Sequence, residues 1–113
     1  MNKKVTALAL LVAALLSAPA LASRNPKLSD NGYWLPTGKP LKGKVKIVEH
    51  NADIKIKAVN NFPDIKVKSV SNFPNNIGEW QFVDNFPDFT VQYVENFEDL
   101  KVQFVDNFPG VVK

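Results

Sequence analysis

The sequence predicts a small all-β domain built from tandem strand-and-corner units of about 11 residues. Three observations carry that prediction. A valine recurs at Val48, Val59, Val70, Val83, Val94 and Val105, with spacings of 11, 11, 13, 11 and 11 residues. Each valine closes a short run of apolar–polar alternation, such as Ile54-Lys55-Ile56-Lys57, and alternation with a period of two is the signature of a half-buried strand. Each is followed by a corner such as Asn61-Phe62-Pro63-Asp64 or Asn85-Phe86-Pro87-Asp88. Proline fixes φ and removes a donor, so it ends a paired strand, and the same recurrent proline excludes a helix.

The first 22 of the 113 residues read as a secretory signal. Lys3 and Lys4 form the basic start, Val5 to Leu16 the apolar stretch, and Ala20-Leu21-Ala22 a small-residue cleavage site. That stretch is shorter than the roughly 20 apolar residues that span a bilayer, so no stable membrane anchor is expected after cleavage. Cleavage leaves 12 basic against 11 acidic residues. The basic pI therefore belongs largely to the signal. The chain has no cysteine, so the exported domain has to hold together without the disulfides common in small secreted folds.

Residues 23–42 contain Pro26, Pro36, Pro40, Gly32 and Gly38 and no periodicity, which predicts an irregular arm. Its Tyr33-Trp34 pair is too apolar for a solvated tail and is expected to pack the arm onto the domain. The repeat domain, residues 43–113, then divides into units 43–53, 54–64, 65–75, 76–88, 89–99 and 100–110, the fourth carrying two extra residues near Asn76-Ile77. Apolar residues at the first, third and fifth positions of each unit are expected to face one way. The valine at the sixth falls on the polar parity, so either the second face is partly covered or the strand bends there. In the corners, asparagine tolerates a left-handed conformation and Pro-Asp favours a turn. Proline pushes the residue before it towards extended backbone. Phe62, Phe73, Phe86, Phe97 and Phe108 lie on the apolar parity and are expected to close the core at each corner.

These units resemble the 7(1) septoil knot domain proteins, short bacterial chains of tandem strands of about 11 residues. The matching stretches are Val59 to Asp64, Val70 to Asn75, Val83 to Asp88, Val94 to Asp99 and Val105 to Gly110. The first unit departs from the pattern, with His50-Asn51-Ala52-Asp53 in place of Asn-Phe-Pro-Asp. The resemblance implies an all-β domain whose chain winds around itself into a knot with seven crossings, a topology that periodicity alone never suggests. It carries over no functional residues.

The chemistry-bearing residues point away from catalysis. The single histidine, His50, stands where other units have asparagine and reads as a corner residue. No second histidine or cysteine completes a metal set with it. Asp53, Asp64, Asp88 and Asp99 recur at one repeat position and are expected to hydrogen-bond turn backbone. No phosphate loop or nucleophile elbow occurs, and no cofactor is implied. The charges, however, are segregated. Residues 23–70 hold ten basic and four acidic residues, and residues 71–113 hold two and seven.

Six lysines fall on the polar strand positions: Lys44 and Lys46, Lys55 and Lys57, Lys66 and Lys68. Like charges directly across a strand pair destabilise it. The pattern therefore predicts that early and late strands interleave. Two functions remain. One is a non-catalytic structural or interaction module, periplasmic or secreted. The other is binding of an anionic envelope component or acidic protein by the Lys44–Lys68 face. Nucleic acid is not expected, because the aromatics lie on the other parity from the lysines.

Overall fold

A computed structural model describes residues 25–113; the expected signal segment lies outside the described residues. The described chain is all-β. Two short strands, β1 (Tyr33–Trp34) and β2 (Lys39–Pro40), pair as an antiparallel hairpin. The arm is therefore more regular than its composition suggests. Six strands follow: β3 (Gly43–Ile47), β4 (Ile54–Ala58), β5 (Ile65–Ser69), β6 (Glu79–Phe82), β7 (Phe89–Tyr93) and β8 (Leu100–Phe104). A short last strand, β9 (Gly110–Val111), lies antiparallel along the start of β5.

The six central strands are mutually parallel and close into a barrel in the order β6-β3-β7-β4-β8-β5, with β5 returning to β6. Early strands (β3, β4, β5) alternate with late ones (β6, β7, β8), as the lysine pattern predicts. No two of β3, β4 and β5, which carry the lysine pairs, pair with each other, although Lys57 of β4 lies opposite Lys101 of β8.

The register explains how parallel strands are joined by such short corners, when a parallel crossover usually needs a dozen residues or more. The third residue of one strand lies opposite the first of the next: Val45 opposite Phe89, Val91 opposite Ile54, Ile56 opposite Leu100, Val102 opposite Ile65. This stagger tilts the strands steeply. As a result Ile47, the end of β3, and Ile54, the start of β4, both face Val91 of β7. The connecting corner only has to step over one strand. Ala58 and Ile65 flank Val102 of β8 in the same way.

First and third residues of the five-residue strands, with Trp80 of β6, fill the interior. Val45, Ile54, Ile56, Ile65, Val67, Trp80, Phe89, Val91, Leu100 and Val102 are all buried, and Trp80 meets Phe89 edge-on at 5.5 Å. The arm closes the end where the strands begin. Trp34, Leu28 and Leu41 are buried there, and the Trp80 indole donates to the Leu41 carbonyl at 3.1 Å. Trp34 thus packs as expected, whereas Tyr33 stays exposed.

Two side-chain expectations are corrected. The fifth strand residues, Ile47, Tyr93 and Phe104, are 40–47% exposed, because they emerge at the strand ends opposite the arm. The corner phenylalanines do not close the core. Phe62, Phe73, Phe86, Phe97 and Phe108 are 77–91% exposed, with φ between 54° and 62°. The left-handed turn at phenylalanine reverses the side-chain parity on which the inward reading relied. The following residue, Pro63 above all, tucks against the wall instead.

Candidate functional site: strapped strands, exposed corners and a basic cleft

Each corner begins and ends with fixed hydrogen bonds. The six valines after the strands donate their amides to interior-strand carbonyls: Val48 to Val91, Val59 to Val102, Val70 to Trp80, Val83 to Val45, Val94 to Ile56 and Val105 to Val67. All six are half-buried, which accounts for valine on the polar parity: the chain bends there and the side chain lies under the corner.

The aspartates close the other side. Asp88 accepts from the Lys44 amide at 2.8 Å, Asp99 from Lys55 at 2.9 Å and Asp64 from Lys101 at 2.8 Å, while Asp53 accepts from the Thr90 amide at 3.0 Å. These carboxylates do bind backbone, but backbone of the strand being crossed, 37 or 44 residues away, rather than of their own turn. That partner is invisible to a local reading of Pro-Asp.

The six sequence-predicted lysines are not gathered onto one face. Lys44 and Lys46 lie on β3, Lys55 and Lys57 on β4, Lys66 and Lys68 on β5, and a late strand separates each pair from the next. Acidic corners cross those same strands. The corner over β3 carries Asp84 and Asp88, that over β4 carries Glu95, Glu98 and Asp99, and that over β5 carries Asp106. The charge segregation along the sequence thus becomes charge mixing around the barrel. A continuous anion-binding wall from Lys44 to Lys68 is not what this arrangement makes.

Concave surface is found at the arm end. One cleft, about 550 Å³, is lined by Lys39, Lys42 and Lys44, with Pro74, Pro87 and Asp88 among its other walls. A smaller one, about 250 Å³, is lined by Asn25, Asp64, Glu98, Asp99 and Lys101. Asn25 bridges two corners there, donating to Asp64 at 3.1 Å and to the Asp99 carbonyl at 2.8 Å. His50 is exposed on the corner over β7. Among the described residues no group of three or more histidine, cysteine, aspartate or glutamate side chains is placed to hold a metal ion.

Sequence reasoning missed the two features that stand out. The phenylalanines were legible as a set but assigned the wrong side of the wall. Lys39 and Lys42 looked like part of an irregular arm, and although they stand close to Lys44 in sequence, nothing local shows that Pro74-Asn75 and Pro87-Asp88 close a cleft around them.

A comparison with curated proteins finds no match. The sequence profile of the 7(1) septoil knot domain matches residues 38–112, from the second hairpin strand through the last strand. With the whole barrel and the last residues of its closing arm inside that match, the chain belongs to the 7(1) septoil knot domain family.

Proposed function

We propose that the protein is an exported, non-catalytic interaction module that makes its contacts through the phenylalanine corners. One observation carries this reading: five phenylalanines at equivalent corner positions are almost fully exposed on left-handed backbone. Neither property serves the fold. An exposed phenylalanine forgoes the roughly 1.5–3 kcal/mol its burial would contribute, and left-handed backbone costs a bulky residue about 1–2 kcal/mol. Outlying backbone of this kind is held where the surroundings over-determine it and a function uses it.

All five corners are anchored at their start by the valine amide, and those of Phe62, Phe86 and Phe97 are also pinned at their end by Asp64, Asp88 and Asp99. They lie over β8, β3, β4 and β5 and at the turn into β6, so they present aromatic contacts on several sides of the barrel. Such a distribution suits simultaneous engagement of more than one neighbour. Export rests on the N-terminal sequence, and the non-catalytic reading on the exposed, isolated His50 and the structural use of the aspartates.

In-cell photocrosslinking tests this. A photoreactive residue replacing Phe86 or Phe97 is expected to give discrete crosslinked species, and one replacing the wall residue Lys57 is not. Equal crosslinking from corner and wall would overturn the reading. Mass spectrometry of the exported protein is expected to find Ser23 as its first residue.

A further inference from the structure

We propose that the cleft beside β6 is a binding site for a phosphate-bearing anion, held by Lys39, Lys42 and Lys44. The inference is independent of the phenylalanine contacts, which lie on the corners.

The cleft exists because of how the chain winds. Five of the six corners step over a strand and strap it down. The sixth, residues 70–78, instead joins β5 to its immediate neighbour β6 and leaves that strand without a strap. The gap between Pro74-Asn75 of this corner and Pro87-Asp88 of the next is the cleft. Its floor is the start of β3, where Gly43, with φ of 111°, lets the Asp88 carboxylate approach; a Cβ at Gly43 would collide with it.

Three lysines of one short segment, residues 39–44, line this space. Lys39 Nζ donates to the Asp88 carbonyl at 2.7 Å and Lys42 Nζ to the Asn75 carbonyl at 3.2 Å. Both ammonium groups are thus positioned by backbone oxygens, which orient them without neutralising them, and each keeps further donors free. The one ion pair among the described residues is Lys27–Asp99, away from this cleft. The lining carries three cations against the single carboxylate of Asp88, whose Oδ2 already accepts from the Lys44 amide.

Several point-charge donors around a concavity suit a compact multivalent oxyanion, for which lysine is a common ligand. The prolines supply apolar walls for an organic body, and a volume of about 550 Å³ accommodates one. The neighbouring cleft at the same end is acidic, so such an anion is directed to one site.

The test is titration of the full chain, followed by calorimetry and amide chemical shifts, with inorganic phosphate, pyrophosphate and glucose 6-phosphate as probes. Saturable binding is expected, with shifts confined to residues 39–44, 74–75 and 87–88. Lys39→Gln combined with Lys42→Gln is expected to weaken it at least about tenfold, as is raising the salt well above 0.15 M. Lys57→Gln on the wall is expected to leave it unchanged. Both cleft lysines are at the surface, so an unchanged melting temperature will show that the variants fold.

Vesicles with and without phosphatidic acid identify the source. If only phosphatidic acid vesicles bind, and Lys39→Gln/Lys42→Gln abolishes it, the anion is a lipid headgroup and the site stands. Absence of saturable binding to every probe, or equal loss with Lys57→Gln, overturns the proposal.

Discussion

At the scale of single residues, the corner phenylalanines separate stability from function. Phe62, Phe73, Phe86 and Phe108 precede proline, which disfavours α-type backbone, and yet φ is 54–58° at all four. Asparagine accepts such backbone far more readily than a bulky side chain. Phe86→Asn or Phe97→Asn is therefore expected to leave the fold intact and raise stability by about 0.5–1 kcal/mol, measured by chemical denaturation. A loss of more than about 1 kcal/mol would mean that the ring packs usefully, and would weaken the functional reading with it.

Glu79 gives a second residue-level expectation. The Asn76 backbone amide, foremost, with the Asn76 side chain, the Asn75 amide and the Lys68 charge, holds its pKa below the ordinary 4.5, against the opposing effect of desolvation. A carboxylate depressed in the folded state adds stability that is fully present above 4.5 and is lost as pH falls through its lower folded value. Acid unfolding of Glu79→Gln is accordingly expected to show a shallower pH dependence below 4.5, while both proteins keep the same slope above it.

At the scale of elements, the aspartate straps and the long corner do different work. Asp99→Ala removes the acceptor of the Lys55 amide and is expected to cost about 1–2 kcal/mol. Asp99→Asn keeps an acceptor and is expected to recover most of that. The long corner 70–78 is sterically committed: a Cβ on Gly78, at φ of 89°, would lie 2.7 Å from the Lys66 carbonyl and 2.8 Å from the Gly110 nitrogen. Because both are backbone atoms, neither yields by rotating a side chain. Gly78→Ala is expected to destabilise by about 3 kcal/mol, from positive φ and overpacking together, read as a fall in melting temperature.

These two elements also show how far the sequence could be read. Alternation placed the starts of β3, β4, β5, β7 and β8 correctly, because burial of first and third residues depends only on local period. The two extra residues near Asn76-Ile77 were visible, but their consequence was not. They fall at the one connection between adjacent central strands, and Ile77 lies where a Cβ on Gly32 of the arm would meet it at 2.5 Å. The cleft arises from that change in winding, and no local pattern reports it. The phenylalanines failed for the opposite reason: a period of two was carried through a left-handed residue, which resets it.

At the scale of the whole molecule, every strand of the barrel depends on the other half of the chain. β3, β4 and β5 have no pairing among themselves, and neither have β6, β7 and β8; β5 and β6 are the one consecutive pair among the six. Among the described residues, a fragment ending at Pro74 therefore keeps the β1–β2 hairpin and the Leu28–Trp34 bridge beside it as its only strand pairing. It is expected to show no cooperative melt by circular dichroism, since a lone two-stranded hairpin is marginal in water.

The halves carry opposite charge, +6 over residues 23–70 and −5 over 71–113, and apart from the neighbouring β5 and β6 they pair across sequence separations that make loop closure slow. In the unfolded chain, lysine repulsion opposes pairing within the early half, while attraction favours insertion of late strands between early ones. Salt screens both effects, with a Debye length of about 10 Å at 0.1 M and about 3 Å at 1 M. Refolding is therefore expected to slow as sodium chloride is raised from about 0.05 to 0.5 M, with unfolding little changed, because the native wall already mixes its charges. The early-lysine variant Lys55→Gln/Lys57→Gln should flatten that dependence. Stopped-flow tryptophan fluorescence is the measurement, since Trp34 and Trp80 are both buried on folding, and a refolding rate indifferent to salt in the unsubstituted protein would show that the charges do not guide the winding.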